Sequence, residues 1–407
     1  MNCYACKSKK LYKFLSLGHQ APSDAFLTRE ELEKEEITYP LDVFLCEECF
    51  LVQLGYAVPP EILFNETYAY NTGTNNSLRA NFKLLVDSLV ERFKLSSKDL
   101  AIDIGSNDGT LLKNYTSHGV KILGIDPSGA TKLAIQDGVP TMETFFDEKS
   151  AKAAKKKYGQ ASIITSTNTF AHIHNLDSTM QGIKLLLSPK GVFVSDSHYL
   201  LDMIEKMQYD WVYHEHLRHY ALKPLQTLFA RFDMEIFDVE HIQAGHGGSI
   251  RVYTAHKGSH PISKNVANLI AQEEKAGLYK KSTYERFAQQ VAQTKLELLK
   301  LVTDLKTSGK RIVGIGAPAK GNTLLNYCKL DTDLIDYLAE RNTSFKIGKF
   351  SPGLHIPVID EKEMYTNQPD YGLLLSWNLA EELMPKLRKS GFKGKFIIPN
   401  PRPRIVD

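Results

Sequence analysis

Two separate stretches of this 407-residue chain read as a buried strand running through a glycine turn into a helix, and that pattern leaves few folds open. In the first, Leu100-Ala-Ile-Asp-Ile104 leads into Gly105-Ser-Asn-Asp-Gly109 and a helix from Thr110. The second is Arg311-Ile-Val-Gly-Ile-Gly-Ala-Pro-Ala-Lys-Gly-Asn-Thr323. Short apolar runs closed by glycine predict parallel strands covered by helices, an α/β architecture. Further strands are expected at 121–125, 161–165, 191–195, 371–376 and 395–398. A charged amphipathic stretch over 263–309, interrupted near Gly277, predicts helices that could space two such sheets. The length itself asks for two or three domains.

Four of the five cysteines form two knuckles, Cys3-x-x-Cys6 and Cys46-x-x-Cys49. Each pair can present two thiolates to one tetrahedral ion, so a structural zinc is expected, with no position left open for water. No flanking histidine or helix start marks a reactive thiol. The gap between the knuckles must hold an insertion, with an acidic helical run at 28–36. Cys328 stands alone and is expected to pack as a small apolar residue.

The first glycine loop spaces Asp103, Gly105 and Gly109 as Asp-x-Gly-x-x-x-Gly, unlike the loops of pyrophosphate sites. Such a loop suits a ligand without a diphosphate, such as S-adenosylmethionine. Asp103 and the Gly105 backbone would face its amino-acid end, with Ser106, Asn107 and Gly109 completing the loop. Asp126, followed by Pro127 after the second strand, would meet its ribose. A tight turn with no ligand is the alternative. The second loop, Gly314-x-Gly316-x-x-Ala319, does fit the dinucleotide pattern, and Glu340 follows a later strand. Taken alone it suggests an NAD-dependent oxidoreductase. Lys320 at a helix start, with Thr323 one turn on, suits nucleotide phosphates as well.

Ten of the thirteen histidines lie between His172 and His260, densest in Trp211-Val-Tyr-His-Glu-His-Leu-Arg-His219. Imidazoles titrate near neutrality, so the cluster points to proton transfer or metal ligation. On a helix Tyr213 and His216 would meet, whereas on a strand Tyr213 and Glu215 would share a face. A net charge of +3 gives no basic field, which argues against nucleic acid and against a zinc-ribbon RNA methyltransferase. No apolar run predicts a membrane span, and the start lacks a signal-peptide pattern, so a cytoplasmic protein is expected.

Seven blocks, in order, carry a resemblance. They are Cys46-x-x-Cys49 running into Leu51-Val-Gln-Leu54, Tyr68-Ala-Tyr70, Ile104-Gly-Ser-Asn-Asp-Gly-Thr-Leu-Leu112 and Phe170-Ala-His-Ile173. Then follow Tyr213-His-Glu-His-Leu217, His246-Gly-Gly-Ser-Ile-Arg-Val-Tyr253 and Ala319-Lys-Gly-Asn-Thr-Leu-Leu-Asn-Tyr327. Over its whole length the chain resembles the S-adenosylmethionine-dependent C-methyltransferases that act on nucleotide-linked 4-keto-deoxysugars. The resemblance implies a small zinc-binding domain (1–70), a central Rossmann-like methyltransferase domain (71–260) and a carboxyl-terminal Rossmann-like α/β substrate domain (261–407).

It also implies a reaction. A base takes the proton from the sugar carbon beside the ketone, C3, and the enolate is methylated. His216 is the expected base, with Glu215 to orient its ring or hold the imidazolium. Tyr213, Tyr68 or Tyr70, and His172 would donate to the enolate oxygen. Asn168 would face the substrate, and Lys320 and Thr323 would hold the phosphate of a dTDP or GDP sugar. No catalytic metal is needed, because the sulfonium donor is already electrophilic, and a monomer is expected. By this reading His241, His256 and His260 pack or lie on the surface, His214 and His219 are structural, and His246 belongs to a turn. His174 and His198 either line the pocket or have no role. The chain departs from the family at Ser195-Asp-Ser-His-Tyr-Leu200, where an acid followed by Val-Pro-Tyr is common. It departs again at Thr169 and Asn71-Thr-Gly-Thr74. These changes bear on which sugar is accepted.

Overall fold

The computed structural model describes residues 1–64, 72–74, 76–243 and 247–407. Three sheets organise them. The central one has seven strands in the order Met234–Ile242, Ser249–His256, Leu187–His198, Ala161–Thr167, Leu100–Ile104, Lys121–Ile125, Thr141–Met142. Its last five strands in that order are parallel, and Ser249–His256 runs antiparallel to both neighbours. From Leu100–Ile104 the chain winds outward through Lys121–Ile125, then returns to Ala161–Thr167 on the other side. The order of the strands therefore reverses between Leu100–Ile104 and Ala161–Thr167. Crossovers diverge there and leave a crevice at the carboxyl ends of the strands.

The carboxyl-terminal sheet repeats that plan. Its order is Val358–Asp360, Leu338–Glu340, Ile312–Ile315, Tyr371–Leu374, Lys395–Ile398, Arg404–Val406, all parallel except the last strand. The reversal here falls between Ile312–Ile315 and Tyr371–Leu374. Gly316, at φ +82°, makes the turn after the first of these strands.

Leu11–Gln20, Tyr39–Cys46, Val52–Leu54 and Arg218–His219 make a four-stranded antiparallel sheet. Its fourth strand is two residues long and comes from the centre of the chain. Leu54 N also donates to Leu217 O at 2.9 Å. The densest histidine segment is thus stitched to the cysteine-bearing sheet.

Two expectations need correction. The acidic run at 28–36 is not a helix; only a single 3-10 turn forms, at Glu31–Glu33. The segment between Leu11–Gln20 and Tyr39–Cys46 instead lies as a strap over the carboxyl-terminal sheet. Leu27 and Phe350 exchange backbone bonds of 3.0 and 2.8 Å, and Glu36 accepts from Gly353 N at 2.9 Å and pairs with His355 at 2.9 Å. Those tertiary bonds outcompete a local helix. Residues 263–309 do form helices, Lys264–Ala276 and Lys281–Thr307, with Gly277 capping the first at φ +78°. They are no mere spacer. Tyr284, Phe287 and Val291 are buried in the core beneath the central and amino-terminal sheets, while Leu298 and Val302 are buried in the carboxyl-terminal core. Among the described residues no helix is long and apolar enough to cross a membrane.

Candidate active site

One cavity of about 690 Å³ lies where the two strand reversals face each other. Asp103 to Asn107, Ile125 to Ser128 and Thr167 to Thr169 line it from the central sheet, and Pro318 to Lys320, Ser376, Asn378 and Leu379 from the carboxyl-terminal sheet. Between them stand His172, Tyr213, Glu215, His216 and His219.

At the central end the glycine loop is built to be approached closely. Gly105 sits at φ +76°, and a Cβ there would lie 2.3 Å from Thr169 Oγ1. Asp126 organises the turn: Oδ2 accepts from Asn107 N at 2.9 Å, and Oδ1 from Ser128 N at 2.8 Å and Ser128 Oγ at 2.6 Å. Oδ2, with a single donor, retains a lone pair for a ribose hydroxyl. Asp103 accepts from Thr165 Oγ1 at 2.6 Å. Burial pushes its carboxyl up to about 7, against the pull of that bond and helped by the nearby Asp126 charge. A ligand ammonium would restore its ionised form. Ser106 Oγ is buried without a partner among the described residues, and Pro127 lines the wall. Gly109 does not line the cavity; at φ +73° it starts the helix Thr110–Thr116. The acidic groups at both ends and the bare Gly105 fit S-adenosylmethionine.

The middle of the cavity belongs to Tyr213–His219. The segment is a tight turn rather than a helix or a strand, with His216 N donating to Tyr213 O at 2.9 Å. That turn brings the rings of Tyr213 and His216 to 4.0 Å between centroids. His172 reaches in from the loop after Ala161–Thr167, its ring 5.0 Å from His216 and stacked on Phe64 at 5.8 Å. His216 Nδ1 lies 2.8 Å from Trp211 O. A carbonyl can only accept, so Nδ1 carries the proton and the Nε2 lone pair is the basic site. The group that orients this ring is therefore the Trp211 carbonyl, in the place the sequence reading gave to Glu215. Glu215 itself is buried in the cavity wall. Burial pushes His216 down to about 4, partly offset by the Trp211 bond, and holds it neutral at physiological pH. His172 is driven well below the usual range by burial, then by His216 and Arg218.

Other histidines find varied places. His219 and His174 line the cavity, as does His198, whose Nε2 lies 2.7 Å from Gln208 Oε1 and whose ring stacks on Trp211 at 4.3 Å. His214 lies 3.3 Å from Tyr39 O, His241 2.6 Å from Asp202, and His260 stacks on Phe237 at 4.5 Å. Tyr68, Tyr70 and His246 lie outside the described residues.

Asn168 lines the cavity from the central sheet and Lys320 from the carboxyl-terminal sheet, but Thr323 does not line it. It is fully buried, with its hydroxyl 3.4 Å from Ser23 Oγ, because one helical turn carries it behind the wall. Lys320 Nζ is engaged too, 3.2 Å from Asp210 Oδ2 and 2.9 Å from Leu375 O. Burial lowers its pKa and Asp210 opposes that shift. Asp210 also accepts from Trp377 Nε1 at 2.7 Å. Glu340 does not line the cavity; its oxygens accept from Ala317 N and Arg341 N, both at 2.9 Å. It holds the Gly316 turn rather than awaiting a ribose, which weakens the NAD reading. Sequence reasoning missed Trp211, Asp24 and Lys346, which also line the cavity and carry no spacing signal.

Away from the cavity, the Sγ atoms of Cys3, Cys6, Cys46 and Cys49 lie within 4.8 Å of one another. Four sulfurs about 2.3 Å from a tetrahedral zinc would be spaced in this way.

Three family models match the chain in series: a zinc binding domain over residues 3–64, a methyltransferase domain over 78–239 and a C-methyltransferase C-terminal domain over 244–401. The C-methyltransferase NovU of Streptomyces niveus is 32% identical over 99% of this chain and 96% of its own. Among solved structures, an S-adenosylmethionine-dependent methyltransferase from Anabaena variabilis is 15% identical over 44% of this chain and 86% of that one, at a TM-score of 0.35. The plantazolicin methyltransferase BpumL, solved with SAH, is 14% identical over 44% and 85%, at 0.36. Scores that low do not bear on the fold. The full-length match and the three models, together with a cysteine cluster and a doubly wound sheet in the matching places, establish that the chain belongs to the S-adenosylmethionine-dependent C-methyltransferases.

Proposed function

We propose that the enzyme methylates the carbon beside the ketone of a nucleotide-linked 4-keto-deoxysugar, C3 in our reading, through an enolate that His216 generates. The observation that carries this is the fixed tautomer of His216: with Nδ1 donating to Trp211 O, Nε2 is a neutral acceptor in the cavity wall. A ketone acidifies the neighbouring C–H, and a positioned imidazole can take that proton. The Trp211 bond survives protonation and favours the imidazolium, and Glu215 on the same wall supplies the opposite charge. The Tyr213 hydroxyl and the His172 ring, whose Nε2 has no hydrogen-bond partner among the described residues, would donate to the enolate oxygen. Asp103, Gly105, Ser106, Asn107, Asp126 and Pro127 would hold S-adenosylmethionine, which supplies an electrophilic methyl group when bound. Asn168 would contact the sugar, and the amides at the start of Ala319–Cys328 would face the phosphates of a dTDP or GDP carrier. One zinc in the cysteine cluster would hold the sheet that anchors Arg218–His219.

The test is incubation of nucleotide 4-keto-deoxysugars with S-adenosylmethionine, read by mass spectrometry for methyl gain and by NMR for solvent deuterium uptake. A C4 ketone acidifies C3 and C5 alike, so the labelled position identifies the carbon. His216→Asn should lower methyl transfer by about 10²–10⁴-fold and abolish deuterium uptake, with S-adenosylmethionine affinity retained. Undiminished uptake in that variant would remove His216 as the base.

A further inference from the structure

The strap from the cysteine-bearing sheet brings a carboxylate, Asp24, into the cavity wall, where it meets a cation. Lys346 Nζ donates to Asp24 Oδ1 at 2.9 Å and to Ala317 O at 2.8 Å, and lies 4.4 Å from the centre of the Phe26 ring. Ala317 belongs to the turn that opens the ten-residue helix Ala319–Cys328. Helix geometry leaves the Ala319 and Lys320 amides without acceptors in the helix. Lys346, Pro318, Ala319 and Ser376 thus share one end of the cavity, opposite the Asp103 and Asp126 end.

Two ammonium groups at this end could meet phosphate, and their present partners differ. Asp210 is fully buried and its side chain shows no exposure, so drawing Lys320 away would strand a carboxylate in the interior. Breaking a buried pair in that way is strongly destabilising. The Asp24 side chain is 23% exposed, so parting it from Lys346 leaves it within reach of water and costs less than stranding Asp210. We infer that Lys346, and not the Lys320 ammonium, is the side chain that binds the diphosphate of the substrate, and that Asp24 is a resident counter-ion with which the phosphate competes. The inference rests on the nucleotide-linked substrate proposed above. Asp24 holds Lys346 beside Ala317 until substrate arrives and opposes the incoming negative charge. The diphosphate displaces that carboxylate and accepts from Lys346 and from the helix amides.

A structural ion pair and a competing counter-ion predict opposite signs for one substitution. Isothermal titration of the full-length protein with dTDP, and separately with GDP, should show Asp24→Asn binding the nucleotide several-fold more tightly than the parent. The strap keeps its other anchors in that variant, including Asn322 Nδ2 to Ser23 O at 2.7 Å. Lys346→Met should weaken nucleotide binding by about tenfold or more, because a charge-assisted bond is lost, while a parallel titration with S-adenosylmethionine is unchanged. Lys346→Arg should retain most of the affinity. Weaker nucleotide binding by Asp24→Asn would overturn the counter-ion role, and unaltered binding by Lys346→Met the phosphate role. A parent protein that binds neither nucleotide would instead defeat the substrate class itself.

Discussion

After Leu100–Ile104 the chain turns at Gly105, enters a helix and places Asp126 beyond the next strand. After Ile312–Ile315 it turns at Gly316, enters a helix and places Glu340 as the last residue of the next strand. The two plans coincide, yet their acids behave differently. Asp126 holds Asn107 and Ser128 while still facing the cavity, whereas Glu340 holds Ala317 and Arg341 and lies off it. The glycines differ as well: a Cβ on Gly105 would strike Thr169 at 2.3 Å, but one on Gly316 would rest 3.6 Å from Pro318. A strand–glycine–helix plan therefore fixes where a ligand can lie, and the side chains around the turn decide which ligand that is.

The largest expected contrast between the two halves is their response to acid. Burial depresses His172, His198, His214, His216 and His219, to about 3 for His198 and about 4 for His214 and His216. Each folded pKa lies below the ordinary imidazole value of 6.5, so the unfolded chain binds protons first. Their contribution is whole above about pH 6.5 and falls away toward pH 4, at about 1.4 kcal/mol per pH unit for each ring. Beyond His260 the chain has a single histidine, His355. Hydrogen exchange read by mass spectrometry at pH 5.5 and 7.5, corrected for intrinsic rates, should show acid loosening the segment 172–256 ahead of 312–398. Equal loosening would break the contrast.

Next in size is the link between the halves. Lys320→Met should destabilise the protein by about 3–5 kcal/mol, because the Asp210 carboxylate is left buried and unpaired. Adding Asp210→Asn should recover much of that loss in urea denaturation; no recovery would mean that Lys320 acts through packing alone. Gly105→Ala should then abolish detectable S-adenosylmethionine binding in titration calorimetry, whereas Gly316→Ala should cost about 1–2 kcal/mol of stability from its left-handed backbone and spare that affinity.

Local signals carried much of this molecule. The strands Leu100–Ile104 and Lys121–Ile125, the left-handed glycines and the two cysteine knuckles are written in neighbouring residues. What stayed hidden depends on distant partners. Arg218–His219 becomes a strand only because Val52–Leu54 is there to pair with it. The Trp211 carbonyl orients His216, and a backbone carbonyl leaves no trace in a sequence. Thr323 follows Lys320 at helical spacing, but only the first helical turn reaches the cavity, which spacing cannot disclose. The His216 motif was visible through family resemblance, since three imidazoles in nine residues do not say which one works.

The smallest effect gives the sharpest comparison, because it applies one chemical change to both acids. Asp126→Asn replaces a carboxylate oxygen with an amide NH₂ that must face Asn107 N or Ser128 N, so one of these bonds becomes a donor–donor contact. Glu340→Gln does the same to Ala317 N or Arg341 N. Each variant should lose about 1 kcal/mol of stability, the net worth of a hydrogen bond. Only Asp126→Asn should also weaken S-adenosylmethionine binding, by about tenfold, since only Asp126 stands on the cavity wall. Matching losses of affinity in calorimetry would mean that the two turns serve one ligand, and the division of labour between the sheets would have to be redrawn.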